Sequence, residues 1–256
     1  MKKIFYRIIT FFSIVAVVAF AFQPMSCRSQ RLSSDFPVDT IRTNLQAIGW
    51  NLEIKFTCGK NHNHPLMAIW VADTTGMYIE TLYVAESLAK GVFTYGDKSA
   101  GKWMPGPIRR PAALPVWAFS RNVREDDGLY IPTEKTPLPD AISGATPQNN
   151  FVLITKTNSN MPLVFRVYFE INQTWDWNEY WTNNKYPGDL EYQSSCQPAL
   201  VYLATIDTRR NDGPVAMKLI GHSHYNGSNG SINPDLTTIT SAKDIVSSIL
   251  VEFKKW

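Results

Sequence analysis

Long runs of basic residues are missing from this sequence of 256 residues. Its 25 Lys and Arg residues are scattered along the chain, and the formal net charge is only +3. Proteins that bind nucleic acid concentrate positive charge on one face or in one segment. Nucleic acid is therefore not an expected partner, and the composition is that of an ordinary globular protein.

Familiar catalytic signatures are missing as well. The sequence contains no G-x-S-x-G elbow, no H-E-x-x-H zinc motif, no P-loop and no G-x-G-x-x-G fingerprint. Each of these patterns places the groups that one kind of reaction needs, so their absence removes the motif support for those enzyme classes. Adjacent acids such as Asp126 and Asp127 are typical of turns. The sequence therefore favours a non-catalytic role over that of an enzyme.

Cysteine is scarce, with three residues in the chain. Cys27 falls in the N-terminal segment described next, which leaves Cys58 and Cys196 as a pair for one disulfide bond. We expect this bond because it suits an exported protein. Two separate buried thiols are the alternative, since spacing alone does not distinguish the two cases.

The first 27 residues have the features of an export signal. A basic start at Lys2 and Lys3 precedes a largely apolar run over 8–22 and an A-x-A pattern over 19–21, as in a secretory signal peptide. A second interpretation is a lipoprotein signal that leaves a lipid anchor on Cys27. A retained membrane anchor is the third, although the run is shorter than the roughly 20 residues of a spanning helix. All three place the bulk of the protein outside the cytoplasm, and the expected location is the periplasm or, for a lipoprotein, the outer envelope.

The remaining chain is predicted to be all-β. Residues 51–58 and 163–171 alternate apolar and polar side chains, as half-buried strands do. Further strands are expected at 66–71, 78–85, 151–155, 199–206, 215–220 and 247–253, with a short helix at 86–90. The sequence has no internal repeat and no βαβ rhythm. We therefore predict a polar linker over 28–44 and then a single antiparallel immunoglobulin-like β-sandwich over 45–256, with long irregular loops.

Residues 91–150 hold much of the proline and show little periodicity, which is typical of a functional surface. Near the end of this segment lies a D-x-x-S-G-A-T motif, formed by Asp140, Ser143, Gly144, Ala145 and Thr146. The small residues leave the backbone bare beside the Thr146 hydroxyl. The flanking prolines favour an ordered surface loop over a strand or a helix.

This motif resembles the acceptor motif of bacterial proteins that carry covalent FMN. In those proteins a flavin transferase moves FMN from FAD onto a Thr or Ser hydroxyl through a phosphoester bond. The resemblance implies that Thr146 is the acceptor and that the other four motif residues belong to the cofactor site. A plain turn is the alternative, because the side chains of Asp140 and Ser143 are suited to bonding nearby backbone N–H groups.

Longer stretches resemble a bacterial periplasmic family known only as domain of unknown function 2271. They lie at 68–73, 81–82, 110–117, 127–130 and 140–147, and the stretches 175–185 and 197–202 are similar to its Bacteroidetes branch. The resemblance implies a periplasmic protein that works with a flavin transferase and a membrane-bound reductase. The expected function is extracytoplasmic electron transfer by a carried FMN.

The four histidines occur as two H-x-H pairs, His62 with His64 and His222 with His224. Residues i and i+2 of an extended segment share a face, so each pair could present two imidazoles to one divalent metal ion. If the pairs met, they would form a four-nitrogen metal site. Four histidines in surface loops are the alternative, because one pair precedes a proline and the other a glycine-rich turn.

Five aromatic residues lie close together in the sequence: Trp175, Trp177, Tyr180, Trp181 and Tyr186. An exposed platform of this kind would stack on a flavin ring or hold a sugar. Packed inward, the same residues would only fix a long loop to the sandwich. The platform supports an alternative function, a cell-envelope module that binds glycan or protein and carries no cofactor.

Overall fold

The computed structural model describes residues 37–97, 99–102, 104–158, 161–210 and 213–254, with the backbone alone described at Ser194. The predicted export signal, Cys27 and residues 28–36 of the predicted linker lie outside these ranges. Among the described residues, no helix has the length and apolar character needed to cross a membrane.

Strands form most of the regular structure. Within the described ranges they are, in chain order, β1 (Val38–Thr43), β2 (Asn51–Cys58), β3 (Leu66–Ala72), β4 (Tyr78–Ala85), β5 (Val92–Asp97), β6 (Met104–Pro107), β7 (Ser143–Gly144), β8 (Asn150–Lys156), β9 (Val164–Asn172), β10 (Leu200–Asp207), β11 (Val215–Ala216), β12 (Lys218–His222) and β13 (Val246–Lys254). The strands expected from the sequence are present within one or two residues, apart from 215–220, which is divided.

Two large sheets pack face to face. One has the strand order β1-β8-β2-β13-β11 and the other the order β12-β10-β9-β3-β4-β7. Apolar side chains of both sheets share one buried core, in which Phe56 of β2 stacks on Phe169 of β9 at a ring separation of 5.6 Å. The all-β sandwich prediction is confirmed. The sheets are largely antiparallel, but the edge pairs β1–β8 and β4–β7 are parallel.

The second sheet is also covered on its outer face. The helix at Pro115–Ser120 brings Leu114 and Trp117 into a second buried cluster with Trp70 of β3 and Tyr168 of β9. The rings of Trp70 and Tyr168 stack at 5.1 Å. The alternating sequence of β9 predicts a polar outer side, but its second half, at Tyr168 and Glu170, is buried because another segment of the chain packs over it.

This cover comes from the segment 91–150, which is more regular than expected. Strands β5 and β6 pair as a separate two-stranded sheet. The helices are α1 (Glu86–Lys90), α2 (Pro115–Ser120) and α3 (Leu190–Ser195), with short 3-10 helices at Asp140–Ile142 and Ser241–Asp244. The expected helix α1 ends at Gly91, whose φ of 64° suits glycine. Helix α2 begins with a proline, which the first turn tolerates.

Two boundaries differ from the prediction. Residues 38–43, assigned to the linker by their polarity, form the edge strand β1, which is rich in β-branched residues and pairs with β8 along its whole length. Residues 215–220 are divided at Met217, so that β11 joins the first sheet and β12 the second. The apolar pattern of this segment suits either sheet, so it does not reveal the crossing.

The predicted disulfide is not formed. Cys58, at the end of β2, and Cys196, which follows α3, are both free and buried. The backbone N–H of Cys58 donates to Asn150 Oδ1 at 2.7 Å. Burial raises the pKa of both thiols to about 12, which leaves almost no thiolate for reaction at neutral pH.

We expect native-state thiol labelling to leave both Cys58 and Cys196 unmodified, and labelling in denaturant to modify both. A Cys27→Ser background removes the third thiol from the count. We also expect a reductant to leave the melting temperature unchanged, because there is no bond for it to break. A clear drop in melting temperature on reduction would contradict the free-thiol assignment.

Candidate functional site

The D-x-x-S-G-A-T motif lies at the edge of the second sheet. Its first residues form the 3-10 helix Asp140–Ile142, and Ser143 and Gly144 form β7, which pairs in parallel with Val84 and Ala85 of β4. The predicted loop is therefore wrong for this half of the motif. A two-residue strand can follow a proline-led turn, because proline restricts only its own φ and the residue before it.

The second half of the motif leaves the sheet and reaches the surface. Ala145 is exposed and Thr146 is half-buried, and neither belongs to a hydrophobic core. The carbonyl of Thr146 accepts a hydrogen bond from Gln148 Nε2 at 3.0 Å. No group among the described residues hydrogen-bonds the Thr146 hydroxyl. This hydroxyl is therefore partly exposed, and none of the described residues restrains it by a hydrogen bond.

Tyr83 supports the motif from inside the protein. Its fully buried side chain extends from β4, and its hydroxyl donates to the carbonyl of Ala145 at 2.7 Å and lies 3.3 Å from the carbonyl of Gly144. A Cβ at position 144 would lie 3.3 Å from the Tyr83 ring. A side chain at position 144 would need the Tyr83 ring to move by a few tenths of an ångström, so Gly144 favours the close approach of this ring, while its extended backbone is open to any residue.

Asp140 faces solvent at the start of the motif. Its side chain is 85% exposed and forms an ion pair with Lys90 of α1 at 3.0 Å, and Lys90 also pairs with Glu86 at 2.6 Å. These two carboxylates raise the pKa of Lys90. The backbone carbonyl of Asp140, instead of its carboxylate, accepts the N–H of Ser143. Asp140 therefore leaves an acidic group on the surface beside the motif.

His62 lies beneath the other end of the motif. Its ring is buried against Phe56 at a centroid distance of 5.4 Å, and its Nε2 atom lies 3.4 Å from the carbonyl oxygen of Pro147. Burial lowers the pKa of His62, so the ring is neutral at neutral pH. The backbone next to Thr146 thus has buried side chains against it on both sides.

Comparison of the sequence with known families and proteins identifies no relative. No family model and no curated protein matches the chain. The resemblance to covalent-FMN acceptors and to a periplasmic family remains a prediction, and the proposal below depends on the residues and contacts of the motif.

The four histidines do not form a metal centre. Within the described ranges, no group of three or more His, Cys, Asp or Glu side chains is placed to hold a metal ion. His62 is buried under the motif, while His64 is exposed and has a left-handed φ of 53°, so the two rings do not share the face that an extended segment would give them. His222 is buried beside Trp181, and His224 contacts Ser228.

The predicted aromatic platform is divided between the interior and the surface. Trp181 is buried, Trp177 is half-buried against the core, and Tyr186 stacks on Tyr225 at 4.1 Å. Trp175 and Tyr180 are 72% and 49% exposed. Most of the group therefore packs the long loop onto the sandwich, and two rings remain for contact with a ligand.

Glu170 is a buried carboxylate that the sequence pattern missed. It lies in β9 and accepts the N–H groups of Val116 at 3.1 Å and Trp117 at 2.7 Å at the start of α2. Burial raises its pKa to about 8, and the two N–H donors act in the opposite direction. Alternation places Glu170 on the polar side of the strand. No local signal corrects this, because its partners are more than 50 residues away.

We expect the stabilising contribution of the protonated Glu170 to be lost as the pH rises from its ordinary pKa of 4.5 through about 8. Its folded-state pKa lies above the ordinary value of 4.5, so between these values the folded protein holds a proton that the unfolded chain has lost. The stabilising contribution is complete below the ordinary value and lost above the raised one. Urea unfolding across this range should show a smaller pH slope in Glu170→Gln, and equal slopes in the two proteins would contradict the prediction.

Proposed function

We propose that this protein carries FMN covalently on Thr146 and transfers electrons between a membrane-bound reductase and an acceptor outside the cytoplasm. The observation that supports the proposal is the state of the Thr146 hydroxyl. It lies in a partly exposed residue, has no hydrogen-bond partner among the described residues, and follows an exposed alanine in an acceptor-like motif. A transferase that carries FAD needs access to one free hydroxyl of this kind.

The attachment is a phosphoryl-group substitution. The Thr146 oxygen attacks the phosphorus on the FMN side of the FAD pyrophosphate, and a new P–O bond forms as the bond to the second phosphate breaks. AMP leaves with that electron pair, and the hydroxyl proton passes to a base of the transferase or to water. No electrons are exchanged in this step, so FAD is the only co-reactant.

The local residues fit such a group. Gly144 and Ala145 put little side-chain volume next to the acceptor, and Ala145 is itself exposed. Asp140 lies on the same surface segment, where a partner enzyme can contact its carboxylate. When bound, a flavin supplies reversible uptake and release of electrons. The protein supplies an anchor on a sheet edge, and this role requires no catalytic residue of its own.

The proposal is tested by co-expression with an active flavin transferase, followed by intact mass and visible absorbance of the denatured protein. We expect a mass increase equal to FMN minus water, together with flavin absorbance that survives denaturation because the bond is covalent. Protein produced without the transferase is the control and should be colourless. An unchanged mass after co-expression with a transferase that modifies its own known substrate would overturn the proposal.

A second candidate function is a cell-envelope module that binds a glycan or a protein. The specific observation in its favour is the exposure of Trp175 and Tyr180, with the Lys185 ammonium 3.2 Å from the Tyr180 ring centroid. Exposed aromatic faces beside a cation are suited to stacking on sugar rings or on partner side chains. Colourless protein that loses ligand binding when Trp175 is replaced by alanine would favour this function.

A further inference from the structure

We infer that Tyr83 and His62 are positioning residues for the modification of Thr146, which they assist by fixing the backbone on either side of it. The inference rests on the proposed function and deepens it. It concerns two side chains that lie outside the motif and that the transferase would not contact, since both are buried. Neither needs to react, because their effect is on the placement of the acceptor oxygen.

Tyr83 fixes the side that precedes Thr146. Its hydroxyl donates to the carbonyl of Ala145 at 2.7 Å and lies within hydrogen-bond distance of the carbonyl of Gly144. The ring is fully buried, so it has little freedom to follow a moving backbone. These contacts hold the residue that follows β7, at the point where the β4–β7 pairing ends.

His62 fixes the side that follows Thr146. Its Nε2 atom lies 3.4 Å from the carbonyl of Pro147, which makes Nε2 the donor in the neutral ring. Pro147 is itself buried and has a restricted φ. The Thr146 hydroxyl thus lies between two carbonyls that are held from the interior, and no described residue hydrogen-bonds the hydroxyl itself.

A held acceptor favours the transfer step because the attacking oxygen must lie in line with the bond that breaks. Folding already supplies the entropic cost of orienting this oxygen, so the cost does not recur at each encounter with the transferase. Loss of one such hydrogen bond should slow the chemical step by up to about tenfold, which corresponds to about 1.4 kcal/mol, the upper part of the usual range for one hydrogen bond. The exposed surface that the transferase recognises would be unchanged. The effect should therefore fall on kcat and not on KM.

The test compares purified variants as substrates of an active flavin transferase with FAD. Tyr83→Phe removes only the hydroxyl, and His62→Phe removes the N–H donor while it keeps an aromatic ring. Matched controls are Tyr202→Phe, which alters another buried tyrosine of the same core, and His222→Phe, which alters another buried histidine. Melting temperatures are measured for all four variants. Tyr83→Phe provides the decisive comparison if His62→Phe does not fold.

We expect Tyr83→Phe and His62→Phe to lower kcat by up to about tenfold with KM within about twofold, while both controls keep the wild-type kcat. Wild-type kcat in Tyr83→Phe would overturn the inference, and so would an equal loss in Tyr202→Phe. A rise in KM alone would assign the two residues to recognition and would also overturn it. If the wild-type protein is not modified at all, the proposed function fails and the inference fails with it.

Discussion

Thr146→Ala is expected to leave the protein without flavin after co-expression with the transferase, while its melting temperature stays unchanged. The replacement removes the only oxygen that the proposal assigns to the phosphoester. No described residue hydrogen-bonds this oxygen, so its loss should change the free energy of unfolding by less than about 0.5 kcal/mol. Intact mass and the absorbance of denatured protein give the extent of modification.

Two further variants make the Thr146 result specific. Thr146→Ser keeps the nucleophilic oxygen and should be modified, but more slowly, because serine lacks the branched Cβ that restricts the χ1 of threonine. Ser143→Ala removes the other hydroxyl of the motif, which lies in β7, and should still gain the mass of the cofactor. Modified Thr146→Ala together with unmodified Ser143→Ala would move the acceptor to Ser143 and refute the assignment.

Glu170→Ala is expected to give the largest loss of stability of any single change considered for this protein. The N–H groups of Val116 and Trp117 would lose their acceptor in a buried region, and a cavity would form between β9 and α2. A buried unsatisfied donor costs about 1–3 kcal/mol, so the loss in the free energy of unfolding should be about 3 kcal/mol. Urea denaturation at constant pH measures it.

The matched control for Glu170 is Glu86→Ala. Glu86 forms an exposed ion pair with Lys90, and such pairs contribute less than about 1 kcal/mol. The tryptophan fluorescence of Glu170→Ala should also change, because Trp117 and Trp70 belong to the cluster that α2 completes. A loss in Glu170→Ala no larger than that in Glu86→Ala would show that the helix N–H groups do not depend on the carboxylate.

The sequence predicts a strand well when only one of its two faces is buried, because apolar and polar side chains then alternate. The apolar residues of β2 alternate because one side meets the core and the other does not, and its bounds at Asn51 and Cys58 match the prediction. The alternation in β9 wrongly predicts that the whole outer face of the strand is exposed to solvent. Tyr168 and Glu170 are polar enough to suggest solvent, yet both are covered by a segment whose prolines hide its regular structure.

The candidate site was predictable only in part for a related reason. The motif is local, so its surface position near Thr146 follows from its own prolines and small residues. Tyr83 and His62 reach it across 62 and 85 residues of sequence, and no periodicity reports contacts between such distant segments. The prediction that both rings of an H-x-H pair share one face depends on a local backbone conformation. That prediction assumes an extended backbone, and the left-handed φ of His64 interrupts it in the first pair.

The pairing of β7 with β4 also covers part of an open edge of the second sheet. Strand β4 would otherwise end the second sheet with unpaired backbone groups, and open edges of this kind pair with other molecules. The two residues of β7 cover Val84 and Ala85, at the end of β4. Deleting the motif would therefore expose the backbone groups of Val84 and Ala85 to pairing with another molecule, and it would also remove the proposed acceptor. Point substitutions at Thr146 leave β7 in place, so they test cofactor loading without exposing that part of the edge.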